Sequence, residues 1–278
     1  MNRPVRSSTQ EQLISLAKDY PYRLPTTSYI FLNGQCLEIE EFDLHSLKKT
    51  YIRTTNGVRT FQQYIQSTEM KFPPDMSERV PVLAYGSNAS SEALTRKFSK
   101  LRTTVVIPTI KAKLRDFDVV YSAHFSNNSS IPAALQYSPG TEVDLFVNYL
   151  TESQLERLHK TEMLGVNYSF GQLLDVAISL EDDFTLSEIL SYFTLHGCLF
   201  INSSHISLAA ISAQHRVFPQ MPEIQIQMTA RDLCAPGKEL DEFILENIQS
   251  SITRSQRTAR LEKYSRPFSY SKLRMLRK

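Results

Sequence analysis

The chain has 278 residues, 41% of them hydrophobic and 22% charged, which suits a soluble globular protein with a sizeable core. No apolar run reaches the ~20 residues that span a bilayer, and no apolar core follows the basic N-terminus, so membrane and secreted classes are not indicated. The net charge of +2 is asymmetric: residues 254–278 hold nine Lys/Arg and one acidic residue, leaving 22 basic and 28 acidic side chains elsewhere, a balance of −6.

Three regions follow one another. Residues 1–76 read as an α+β extension. Its helix covers Gln10–Lys18, with Leu13, Ile14 and Ala17 on one face. The pair Asn33-Gly34 between two apolar runs predicts a hairpin, and Phe61, Tyr64 and Ile65 a second short helix. The stretch Lys71-Phe-Pro-Pro-Asp75 is the expected linker.

Residues 79–217 read as one compact, strand-rich unit. Val80–Tyr85 is a continuous apolar run, as in a strand buried on both faces. It leads through Tyr85-Gly86-Ser87-Asn88 into a helical pattern. Short strands are expected at 105–110, 118–121 and 133–137. Ser138-Pro139-Gly140-Thr141 has the signature of a type II turn, predicting a hairpin with 142–149. Thr151-Glu-Ser-Gln154 is a capping-box pattern that opens a helix, and Glu162 falls at or just beyond its end. Residues 218–278 read as a C-terminal extension, with an amphipathic helix near Leu240–Ile248 and a basic tail. Tyr264, Phe268 and Tyr270 interleave the tail's cations. It is either a contact for an acidic partner or a strap docked on the chain's own acidic body. No nucleic-acid motif accompanies it.

Two elements carry chemistry. A strand, a glycine turn and a helix start give successive backbone amides at Gly86, Ser87 and Asn88 that can meet an anionic group, while Ser87 and Asn88 can instead cap the helix. By itself the turn fits a capped strand–helix corner better than a cradle. Glu162, facing the negative end of a helix macrodipole, is placed as a proton acceptor. Histidines and cysteines show no metal spacing, so no metal or cofactor is expected. His159 reads as a surface residue. The cysteine pattern fits a reducing cytoplasmic setting.

Taken in order, these elements resemble the gamma-glutamylcyclotransferase-like family. The carriers are Tyr85-Gly86-Ser87-Asn88 ahead of a helix with Leu94 and Arg96, Ile131-Pro-Ala-Ala-Leu135 followed by Ser138–Val143, and the helix of Leu150–Leu158 that leads to Glu162. Tyr168 stands where the family often has an aromatic. The family carries Leu or Met where this chain has Ala89, and Gly where it has Met163.

The resemblance implies a small mixed β-barrel with peripheral helices, α+β in class. It also implies release of 5-oxoproline and an amine from a γ-glutamyl amide, with Glu162 as general acid/base. Tyr85, Gly86, Ser87, Asn88 and Tyr168 would bind the substrate. The rival is a catalytically silent module that binds a small ligand or a partner on the same fold.

Overall fold

The computed structural model describes residues 7–101, 103–181 and 184–277. Seven α-helices occur among them: α1 (Ser8–Lys18), α2 (Phe61–Gln66), α3 (Ser91–Phe98), α4 (Glu152–Thr161), α5 (Glu223–Cys234), α6 (Leu240–Gln249) and α7 (Ser251–Leu261). The principal strands are β1 (Tyr29–Leu32), β2 (Gln35–Glu41), β3 (Tyr51–Thr54), β4 (Gly57–Thr60), β5 (Val80–Ala84), β6 (Val106–Tyr121), β7 (Ala133–Leu150), β8 (Tyr168–Leu180) and β9 (Thr185–Thr194).

Five strands close a barrel. β7 pairs antiparallel with β5, β5 parallel with β9, β9 antiparallel with β8, and β8 antiparallel with β6. β6 then closes the circuit on β7. One parallel pairing among antiparallel ones makes the barrel mixed, and with its helices the class is α+β, as expected. Ile110, Leu114, Val119, Leu135, Val143, Val147, Leu173 and Ile189 are among the buried side chains of its core. β1 pairs with β6, and β2, β3 and β4 follow it, so the sheet runs on into the N-terminal region. The β1–β2 hairpin turns at Asn33 (φ 49°) and Gly34 (φ 97°), the two positive φ values that an Asn-Gly turn supplies.

Two expectations at the strand level are corrected. The stretches 105–110 and 118–121 belong to one strand, β6, because Ala112 and Leu114 face inward while Lys111, Lys113 and Arg115 alternate outward. Ser138–Thr141 is also not a hairpin turn. β7 runs straight through it, antiparallel to β6 on both sides, with Arg115 opposite Glu142 and Phe117 opposite Tyr137. The four residues bulge over Asp116, whose carboxylate accepts from the Gly140 amide at 2.7 Å, and Gly140 sits at φ 83°. A Pro-Gly pair serves a bulge for the reason it serves a turn: proline donates no ladder hydrogen bond and glycine accepts a positive φ.

The two extensions pack on each other beside the barrel. Ile14 and Ala17 of α1 meet Ile244 of α6, and Lys18 pairs with Asp241. The β6–β7 loop is fixed by them: Asn247 donates to Ser129 Oγ at 3.1 Å and Arg254 to Asn127 Oδ1 at 2.9 Å. The basic tail engages the chain itself. Arg257 donates to the Phe243 carbonyl and Asn247, Arg260 to the Cys234 carbonyl, and the strand Leu273–Arg277 pairs with β8. No helix among the described residues is long and apolar enough to cross a membrane.

One buried acid in this packing has a consequence for stability. Glu223 accepts from the Ile131 amide at 2.7 Å and from Gln227 Nε2 at 2.8 Å, while its other oxygen and Gln227 Oε1 are buried without partners among the described residues. Burial pushes its carboxyl up to about 8, against the lowering effect of both hydrogen bonds. A folded value above the unfolded one means that folding takes up a proton across that window. Stability is therefore full below about pH 4.5 and declines, by a few kcal/mol, as pH rises to about 8. Glu223→Gln keeps the acceptor for Ile131 and supplies a donor toward Gln227. Urea unfolding across pH 5–9 is expected to show this slope in the native protein and a flattened one in the variant.

Candidate active site

The Tyr85–Asn88 segment leaves β5 and makes one 3-10 turn, Ser87–Ala89, before α3 begins. That turn's hydrogen bonds are donated by Ala89 and Ser90 to the carbonyls of Gly86 and Ser87. The amides of Gly86, Ser87 and Asn88 are left without acceptors among the described residues. The turn is held from behind: Asn148 on β7 donates to the Asn88 carbonyl at 3.0 Å, and the Tyr29 hydroxyl donates to the Ala89 carbonyl at 2.8 Å.

Neither Ser87 nor Asn88 caps the helix, whose N-cap is Ser90. The Asn88 side chain instead turns to Glu162, donating from Nδ2 to Oε1 at 3.1 Å.

Gly86 has a reason the sequence did not disclose. A Cβ there would lie 2.6 Å from the Tyr20 hydroxyl and 3.0 Å from Ala133 Cβ. The hydroxyl accepts from the Ala133 amide at 2.8 Å, so the missing side chain admits a tyrosine from the N-terminal extension into the barrel mouth.

Glu162 is the C-cap residue of α4, whose start carries the capping box expected at Thr151 and Gln154. The next residue, Met163, has φ 53°, its amide meets the Lys160 carbonyl at 3.4 Å, and the Leu164 amide meets the His159 carbonyl at 3.1 Å. This is a Schellman ending with methionine in the left-handed position that glycine ordinarily fills. The backbone therefore accepts Met163 in the glycine's conformation, at a cost of about 1 kcal/mol.

Lys97 on α3 contacts both Glu162 Oε1 and Asn88 Oδ1 through its ammonium. The Glu162 and Lys97 side chains are only 13% and 17% exposed. Arg157 on α4 donates to the Lys97 carbonyl at 2.8 Å, tying the two helices at this point.

All six residues singled out by sequence, Tyr85, Gly86, Ser87, Asn88, Glu162 and Tyr168, line one pocket of about 370 Å³. Tyr85, Tyr168 and Tyr192 are buried in its wall. Burial raises each phenol above its ordinary value, and the Glu162 charge adds to this, so all three stay neutral hydrogen-bond formers. Tyr85 donates to the Tyr192 carbonyl at 2.7 Å, whereas Tyr168 makes only a 3.5 Å contact to the Ala133 carbonyl.

The outer wall comes from the N-terminal extension and the β6–β7 loop. The Arg96 guanidinium stacks over Tyr22 at 4.4 Å, and the Tyr22 hydroxyl accepts from Asn128 at 2.6 Å.

Sequence reasoning missed four residues of the pocket lining: Lys97, Tyr20, Tyr22 and His124. Lys97 meets Glu162 across 65 positions of chain, Tyr20 and Tyr22 come from the N-terminal extension, His124 follows β6, and no local pattern marks any of them. His159 corrects an expectation. It is buried beneath the pocket, its Nδ1 bonded to the Tyr192 hydroxyl at 2.8 Å and its ring set against Phe170, because the helix face it shares with Leu155 and Leu158 points inward. No cluster of three metal-ligating side chains occurs among the described residues.

No family model and no curated protein matches the chain. Among solved structures, it is similar to a gamma-glutamyl cyclotransferase at 18% identity, over 70% of this chain and 92% of that one, with a TM-score of 0.35. A human protein is similar at 18% identity over the same shares, with a TM-score of 0.34. The Bacillus subtilis protein YkqA is similar at 15% identity, over 72% of this chain and 69% of that one, with a TM-score of 0.32.

Proposed function

We propose that the chain is a cyclotransferase acting on γ-glutamyl amides, releasing 5-oxoproline and an amine by attack of the substrate's own α-amine. The observation that carries this reading is the meeting of Glu162 and the Gly86–Asn88 turn in one pocket, joined by the Asn88–Glu162 hydrogen bond.

The α-ammonium enters beside Glu162 and gives it a proton. The freed nitrogen attacks the γ-carbonyl carbon, forming the ring C–N bond and an oxyanion. As the carbonyl re-forms, the amide C–N bond breaks and the leaving nitrogen takes the proton from Glu162; the carboxylate then accepts the second proton of the ring nitrogen and passes it to the amine, which departs as an ammonium. Atoms balance without a covalent enzyme intermediate, and closure within one molecule gains from orientation.

The substrate's α-carboxylate is bonded to the same carbon as the amine. It therefore belongs next to Glu162, at the open amides of Gly86, Ser87 and Asn88. Lys97 pairs with Glu162 in the free pocket, and the arriving ammonium takes over that oxygen. The neutral tyrosines, Tyr85 and Tyr168 among them, enclose the glutamyl chain. Arg96, exposed, stacked on Tyr22 and without a carboxylate partner among the described residues, suits an anionic group on the released amine.

The Lys97–Glu162 pair also favours a second reading, a silent pocket in which the glutamate is a structural ion-pair partner. Incubating the full chain with a panel of γ-glutamyl amides separates the two. The proposal expects 5-oxoproline, most readily from amides whose amine bears a carboxylate. Saturable binding of these amides with no 5-oxoproline would establish the silent pocket instead.

A further inference from the structure

The pocket contains a histidine that the proposed chemistry has not used. His124 follows β6, is 2% exposed and lines the cavity. Its Nδ1 lies 2.7 Å from Ser122 Oγ, which lies 2.6 Å from Thr194 Oγ1. Thr194 Oγ1 in turn accepts from the His196 backbone amide at 3.2 Å. Either hydroxyl can donate in the Ser122–Thr194 contact; in the order in which Thr194 donates to Ser122, the Ser122 hydroxyl donates to Nδ1. That direction assigns the ring proton to Nε2. Nε2 has no partner among the described residues and borders the cavity.

The ring is held rigidly. His196 stacks on it at 4.4 Å with an interplanar angle of 28°, and Tyr168 packs edge-on at 5.7 Å. His196 is itself fixed at both nitrogens, Nδ1 to Glu262 at 2.6 Å and Nε2 to Asn167 Oδ1 at 3.1 Å. Glu262 lies just past α7, so the C-terminal extension reaches the pocket through this stacked pair. Burial, and secondarily His196, pull the His124 imidazole well below the ordinary histidine range, which keeps it neutral.

We propose that His124 is a further substrate-contacting residue, its Nε2–H donating to the γ-carbonyl oxygen on which negative charge develops during ring closure. This rests on the cyclotransferase reading. Glu162 and the Gly86–Asn88 amides take the amine and the carboxylate, which leaves the γ-carbonyl oxygen in need of a donor, and His124 is a neutral, preorganised one. A neutral imidazole suits this task because it donates without adding a second cation beside Lys97. Glu262 and His196 are positioning residues that act through it.

The test compares His124→Ala, His124→Gln and Glu162→Gln on one γ-glutamyl amide. His124→Ala is expected to lower kcat by about 10²-fold with KM changed less than threefold, as for loss of one oxyanion donor, and the amide of His124→Gln to restore part of the loss. Undiminished kcat in His124→Ala, with Glu162→Gln inactive, overturns the assignment and leaves the cyclotransferase reading standing. A loss carried by KM alone also overturns it. Should the native chain turn over no γ-glutamyl amide, the histidine ring resonances of 15N-labelled protein titrated with 5-oxoproline decide. A ligand-dependent shift of the His124 Nε2 signal supports the contact, and an unmoved signal refutes it.

Discussion

Glu162→Gln is expected to reduce 5-oxoproline release by 10³-fold or more, toward the upper end of what general acid–base catalysis contributes. The substitution is close to isosteric, and the Gln carbonyl still accepts from Asn88 Nδ2, so the turn and the end of α4 keep their contact. What is lost is the basic oxygen for the α-ammonium proton and the counter-ion of Lys97. A mostly buried ammonium without its counter-ion, still held by Asn88 Oδ1, costs roughly 1–2 kcal/mol of stability, against about 4 kcal/mol for a 10³-fold loss of rate. Thermal unfolding within a few degrees of the native protein, together with lost turnover, would separate chemistry from folding. Turnover within tenfold of native would remove Glu162 from the role of base.

Gly86→Ala is expected to destabilise the fold by about 1–3 kcal/mol, through overpacking rather than backbone strain. The added methyl would meet the Tyr20 hydroxyl at 2.6 Å and Ala133 Cβ at 3.0 Å. Tyr20 cannot yield cheaply, since it is buried and accepts from the Ala133 amide. Tyr20→Phe alone leaves that amide without its acceptor, at about 1 kcal/mol. In the Gly86→Ala background the same change also removes the clash, so the double variant is expected to be more stable than the sum of the two losses. Urea unfolding of the four proteins measures the coupling, expected at about 1 kcal/mol or more. Strict additivity would mean that Gly86 is not there to admit Tyr20.

What was legible in the sequence was local. Asn33-Gly34, the capping box at Thr151–Gln154 and the strand–glycine–helix order of Val80–Phe98 each involve residues within a few positions of one another, and each forms as expected. Ser138–Thr141 was misread because a Pro-Gly pair specifies a local bend without specifying its partner, and β6 remains the partner on both sides. The candidate site divides along the same line. The turn and Glu162 were legible because each terminates a recognisable element. Lys97, Tyr20 and His124 were not, since a lysine on α3, a tyrosine after α1 and a histidine after β6 acquire meaning only from chain far away.

The structure also gives the flanking regions a physical task. Tyr20 and Tyr22 wall the pocket from the N-terminal side, while Arg254, Asn247 and Glu262 brace the β6–β7 loop and the histidine pair from the C-terminal side.

The central claim is that the amine nucleophile comes from the substrate itself, and water labelled with heavy oxygen tests it most directly. The native chain, incubated with a γ-glutamyl amide in such water, is predicted to yield 5-oxoproline and amine in equal amounts, with no label in the product. Glutamate carrying the heavy oxygen would contradict the account, because water and not the α-amine would then have attacked the γ-carbonyl.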